Sequence, residues 1–177
     1  MLGRRRFLVG SLGAAAALSG VARKAAAVTA PPYTLSFYHI HTGEKLTITY
    51  REKGEVVADA LAAINHYLRD FRTEQTHVID VALLDKLHTL YTEFDGRGNF
   101  EVISGYRSPH TNEVLRHATT GVAEHSLHIE GRAIDVRLTS AKTTALRDAA
   151  IAMKSGGVGY YAESNFVHID TGKTRSW

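Results

Sequence analysis

Ser126-Leu127-His128-Ile129-Glu130-Gly131-Arg132-Ala133-Ile134-Asp135-Val136-Arg137-Leu138 sets the terms for the fold of this 177-residue chain. The apolar run from Ala133 reads as a buried strand, and Gly131 supplies a turn between His128 and the carboxylate seven residues later. Downstream, Phe166-Val167-His168-Ile169-Asp170 carries a second histidine inside another apolar strand. Between the two, residues 141–154 read as a helix capped by Ser140, and residues 158–161 as a strand joined to 166–170 by a loop at 162–165.

The same reading extends toward the amino terminus. Residues 33–50 alternate about Thr42-Gly43, the mark of a hairpin. Val57, Leu61, Ile64, Leu68 and Phe71 recur at steps of four and three, the spacing of one buried helix face. A second helix begins at Asp80, its expected N-cap, with Leu83, Leu87, Leu90 and Phe94 inward and Gly96 and Gly98 closing it. Residues 100–104 read as a short strand and 111–117 as a third helix. Strands and helices mix without a regular βαβ repeat. The expected class is therefore α+β: a small antiparallel sheet with helices packed on one side.

The amino terminus reads as a targeting segment. Arg4-Arg5-Arg6-Phe7-Leu8 precedes an alanine-rich apolar stretch and Ala25-Ala26-Ala27, the order of charged region, apolar region and cleavage site in a signal peptide. The arginine pair resembles the twin-arginine signal, and Arg23-Lys24 near the cleavage point suits that route. The apolar region is short for a membrane span, so residues 1–27 are expected to be removed and 28–177 to form one domain without a stable span. Five of the 21 basic residues and none of the 18 acidic ones lie in 1–27, so the remainder is slightly acidic despite a formal charge of +3 for the whole chain. That balance argues against a nucleic-acid partner. With no cysteine, disulfides, a lipoprotein anchor and a thiolate metal site are excluded, and any metal must be held by His, Asp or Glu.

A lone histidine is ordinarily a hydrogen-bonded core or surface residue, and this chain has ten. Position singles out His128 and His168, with Asp135. Two imidazoles and a carboxylate on rigid elements meet the needs of a catalytic zinc, which keeps one of its four positions for water.

Ser126-x-His128-x-x-Gly131-x-Ala133-x-Asp135, His168-x-Asp170 and Ser104-Gly105-Tyr106-Arg107-Ser108 together resemble the zinc D-alanyl-D-alanine peptidase family, whose fold is shared with the hedgehog signalling domain. Tyr67-Leu68-Arg69-Asp70-Phe71-Arg72, Ile79-Asp80 with Leu83-Leu84-Asp85, and Gly157-Val158-Gly159-Tyr160-Tyr161 extend the resemblance, most closely to its twin-arginine-exported murein endopeptidases. The resemblance implies a periplasmic, monomeric zinc peptidase acting on peptidoglycan peptide stems. It implies Zn2+ on His128, Asp135 and His168, and Arg107 as the arginine that binds a substrate carboxylate or carbonyl oxygen, for which a planar charged fork is suited.

The sequence departs from the family at Asn165. Many members carry Asp or Glu there as general base. Three residues remain as candidates for proton transfer: Asp170, which shares a strand face with His168 and equally suits an orienting role behind a ligand, Glu163 and His125. The alternatives to an endopeptidase are a carboxypeptidase trimming a terminal D-alanine and a binding module that holds peptidoglycan without cutting it.

Overall fold

The computed structural model describes residues 30–118 and 122–177. The expected signal segment, 1–27, lies outside the described residues. Among these residues, β1 (Tyr33–His39), β2 (Lys45–Glu52), β3 (Glu55–Val56), β4 (Phe100–Ser104), β5 (Ala133–Leu138), β6 (Gly157–Tyr161), β7 (Phe166–Asp170) and β8 (Arg175–Ser176) join in one sheet. Its order is β3-β2-β1-β4-β5-β7-β6-β8. Four helices accompany it: α1 (Ala58–Tyr67), α2 (Val81–Glu93), α3 (Pro109–Ala118) and α4 (Thr143–Ala152).

The α+β class stands, but the sheet is neither small nor purely antiparallel. β1 pairs parallel with β4, and β6 parallel with β8. The first follows from α1 and α2 lying between β1 and β4, which returns the chain to the same end of the sheet before β4 begins. The second rests on two short residues at the carboxyl end, too brief to leave a periodic signal.

Alternation divides the sheet into two faces. Leu35 and Phe37 of β1, Phe100 and Val102 of β4, Ile134, Val136 and Leu138 of β5 and Val167 and Ile169 of β7 point into a single core with Ile64 of α1, Leu83, Leu84, Leu87 and Leu90 of α2 and Leu146 of α4. The opposite parity on β5 and β7 carries Asp135, His168 and Asp170, so the helices that bury the core leave the polar residues together on the other face. α3 is the exception to helices on one side, for its Leu115 borders the cleft on that face.

Two element boundaries differ from expectation. The first helix stops at Tyr67 rather than running to Phe71, because the Asp70 carboxylate accepts from the Arg72 and Ser108 backbone N–H groups and turns the chain out of the helix. Phe71 instead stacks on His41, 4.7 Å between centroids. Ser140 is not the cap of α4: Lys142 holds that position without a side-chain bond, while the Ser140 hydroxyl donates to the Arg97 carbonyl at 2.8 Å. Asp80 does cap α2, accepting from the Ala82 N–H at 2.9 Å. No helix among the described residues is long and apolar enough to cross a membrane.

Candidate metal centre

Antiparallel pairing of β5 with β7 sets Asp135 directly opposite His168. His128 arrives from the turn before β5. That turn is held by Arg132 N–H to the Leu127 carbonyl at 2.9 Å and by Gly131 at φ +66, where a Cβ would overlap the Val78 carbonyl oxygen. Only glycine fits there.

The three side chains are buried and converge. His128 Nε2 lies 3.2 Å from Asp135 Oδ1 and 3.2 Å from His168 Nδ1, and His168 Nδ1 lies 2.9 Å from Asp135 Oδ1. Three atoms bearing lone pairs cannot satisfy one another at a single point. A tetrahedral zinc with bonds of about 2.0–2.1 Å would separate its ligand atoms by roughly 3.3 Å, so the triangle fits such an ion. The outer nitrogens fix the tautomers that fit requires. His128 Nδ1 donates to the Gly105 carbonyl at 2.7 Å, leaving Nε2 for the centre, and His168 Nε2 donates to Asp170 Oδ2 at 3.1 Å, leaving Nδ1.

The electrostatics agree. Burial pushes His128 below the ordinary histidine value, opposed by the Asp135 carboxylate. Burial also disfavours charge on His168, but the carboxylates on its two nitrogens outweigh it and hold its pKa up at about 9. Asp135, which burial alone would raise, is held well below the carboxylate range by the two imidazoles. The Asp135 carboxylate is thus held charged at the point where the three ligand atoms meet.

Asp170 is fully enclosed. Besides His168, its carboxylate accepts from the Gly157 and Gly172 N–H groups, each at 2.8 Å, and from Arg175 Nη2 at 2.7 Å. Its backbone carbonyl accepts from the buried Lys86 ammonium of α2. Of the proton-transfer candidates, His125 lines the cleft over the centre; Asp170 and the exposed loop residue Glu163 do not. Asn165 sits at φ 52 in the turn between β6 and β7, where its side-chain oxygen accepts from Thr143 Oγ1 at 2.7 Å. It faces the start of α4.

Arg107 reaches the cleft from the loop after β4. A bulge between Val102 and Ser104 flips Ser104 opposite Asp135, so the chain leaves β4 on the polar face. Arg107 Nη2 then lies 3.3 Å from Asp135 Oδ2 and 3.5 Å from Ser104 Oγ, and its Nε has no hydrogen-bond partner among the described residues. The loop is anchored from behind by Asp70, whose Oδ2 accepts from the Ser108 hydroxyl at 2.6 Å and the Ser108 N–H at 2.9 Å. Sequence reasoning passed over Asp70 as an anchor, and also Arg175 and Trp177, which complete the cleft. Asp70 lies inside the Tyr67-to-Arg72 segment, but nothing in sequence spacing links it to Ser108.

A family model described as "Peptidoglycan L,D-endopeptidase MepK" matches residues 27–177. The protein of that name from Escherichia coli (strain K12) is 39% identical over 170 residues, which cover 91% of this chain and 93% of that protein. The "Probable peptidoglycan L,D-endopeptidase MepK" of Haemophilus influenzae (strain ATCC 51907 / DSM 11121 / KW20 / Rd) is 39% identical over 150 residues, 84% of this chain and 81% of the relative. A match that runs from residue 27 through both histidine motifs to the last residue leaves one assignment: the chain belongs to the MepK family of peptidoglycan L,D-endopeptidases.

Proposed function

We propose that this protein is a zinc-dependent endopeptidase that hydrolyses L,D peptide cross-links of peptidoglycan after export to the periplasm by the twin-arginine route. The observation that carries the reading is the buried triangle of His128 Nε2, Asp135 Oδ1 and His168 Nδ1 at the floor of an open cleft of about 390 Å³. When bound there, zinc supplies the acidity that makes water nucleophilic near neutral pH and the charge that polarises a carbonyl.

The protein's own groups do the rest. The Gly105 carbonyl and the Asp170 carboxylate orient the two imidazoles, one from each side. Arg107 presents donors beside Asp135, where they stabilise negative charge on the carbonyl oxygen as it develops. His125, on the cleft wall, moves the proton from attacking water to leaving nitrogen. Asp170 is read as orienting rather than proton-carrying, because four donors already engage its oxygens. Asn165 then carries no catalytic role, supported by its bond to Thr143.

Metal analysis tests the centre. Purified wild-type protein should hold one zinc per chain, and His128→Ala and His168→Ala should each lose it. Stoichiometric zinc in both variants would overturn the ligand set. His125→Ala should keep the zinc and lose turnover by about 10²- to 10⁴-fold, as for a general acid–base group.

A further inference from the structure

The carboxyl-terminal strand does more than finish the sheet. Parallel pairing of β8 with β6, with the Trp177 N–H donating to the Val158 carbonyl at 3.2 Å and the Tyr160 N–H to the Trp177 carbonyl at 3.0 Å, pins Trp177 beside Gly159. Gly159 lies opposite His168 on the polar face. A Cβ at Gly159 would stand 2.6 Å from the indole, so the missing side chain is the seat of the ring. The indole lies 5.4 Å from the His168 ring, with the Arg175 guanidinium 4.9 Å from its centroid and Nε1 donating to the Tyr161 hydroxyl at 3.3 Å. Tyr161 in turn stacks on Phe166 at 4.5 Å. All three aromatics line the cleft, yet Trp177 remains 52% exposed.

A large ring held from behind and open in front is a preformed apolar contact surface. Its place in the sheet gives it a direction. Arg107 follows β4 and Trp177 follows β8, with β5, β7 and β6 between them, so the cleft runs from Arg107 across Asp135 and His168 to an aromatic wall whose outer edge carries the Arg175 guanidinium. A matching substrate has a carboxylate or carbonyl at one end and an aliphatic chain at the other side of the bond to be cut. We propose that Trp177, with Tyr161 and Phe166, is the specificity wall of the cleft, against which the methylene chain of the cross-linking diamino acid lies on the side of the scissile bond away from Arg107. This rests on the endopeptidase reading for the identity of the substrate.

Kinetics of the zinc-loaded protein on L,D cross-linked muropeptide dimers test it. Trp177→Ala should raise KM about tenfold, the scale of one lost aromatic contact, with kcat within about threefold and zinc content intact, and Trp177→Phe should recover most of the loss. The preference for a diaminopimelate cross-link over a shorter diaminobutyrate one should collapse in Trp177→Ala. Unchanged KM and preference in a zinc-replete Trp177→Ala protein would overturn the proposal.

Trp177 is the sole tryptophan, so wild-type protein provides a second measurement even if Trp177→Ala does not fold. Stopped-flow mixing with dimer should change indole emission saturably within the first turnover, and unchanged emission during demonstrated cleavage would equally overturn the wall. A saturable change without any cleavage would remove the endopeptidase reading and leave the wall standing.

Discussion

Asp170 shows how much one buried carboxylate is asked to do. Burial alone would raise its pKa, but the His168 imidazole and the N–H groups of Gly157 and Gly172 hold it well below the carboxylate range, so it stays charged and acceptor-only behind His168. Asp170→Asn keeps the shape and removes the charge, leaving Arg175 without its ionic partner. The expected outcome is a 10- to 100-fold loss of zinc affinity, read by competition with a chelator, and turnover restored by excess zinc. A variant that keeps full zinc affinity and loses turnover would make Asp170 the proton carrier instead. Arg107→Ala is expected to behave oppositely, with zinc retained and kcat lowered about 10²- to 10³-fold, the size of effect for a lost oxyanion donor. Asp135 and His168 stood out in the sequence as polar residues within apolar strands, and His128 by its place seven residues before Asp135 with Gly131 to turn the chain between them. The crowd of donors around Asp170 was not, since Gly157, Gly172 and Arg175 come from two different chain reversals.

At the scale of elements, two connections control the geometry of the centre. The turn from His128 to β5 depends on Gly131. A side chain there meets both a disfavoured positive φ and the Val78 carbonyl, which belongs to backbone and cannot rotate away. Gly131→Ala should therefore cost about 2 kcal/mol or more of stability, measured by denaturant unfolding, and should lower zinc affinity with it. The loop carrying Arg107 depends on Asp70. Burial opposes charge on Asp70, but hydrogen bonds from Ser108 and Thr111 outweigh it and bring its pKa down to about 2 from 3.8. A folded-state value below the unfolded one contributes stability that is fully present above about pH 4 and is lost as pH falls through 2, roughly 2 kcal/mol in all. Asp70→Asn should lie below wild type by about that amount at neutral pH, and the two unfolding curves should converge toward pH 2. Elements with strong local signals, such as β4, β5, β7 and the Asp80-capped α2, were legible to within a residue or two. The end of α1, the cap of α4 and β8 were not, because each is set by a contact with distant chain: Asp70 with Ser108, Ser140 with Arg97, Arg175 and Ser176 with β6.

For the molecule as a whole, the sheet separates a core side from a chemical side. The sequence carried that separation in its alternation, but not the sheet's width or its two parallel pairs, because pairing partners are chosen by crossovers rather than by local pattern. Export belongs to this scale as well. The arginine pair ahead of an alanine-rich stretch leads to the expectation that replacing Arg4 and Arg5 by Lys strands precursor in the cytoplasm, read by cell fractionation. Normal export of that variant would reject the twin-arginine route and leave the catalytic reading untouched.

Mass spectrometry of muropeptides after digestion bears most directly on the central claim. Zinc-loaded wild-type protein, incubated with sacculi and with defined L,D cross-linked dimers, should convert dimers to monomers, and His128→Ala should release nothing. Loss of only a terminal D-alanine would make the protein a carboxypeptidase. Intact dimers, beside an active murein peptidase run in parallel, would contradict the endopeptidase and leave a zinc-containing module that binds peptidoglycan without cutting it.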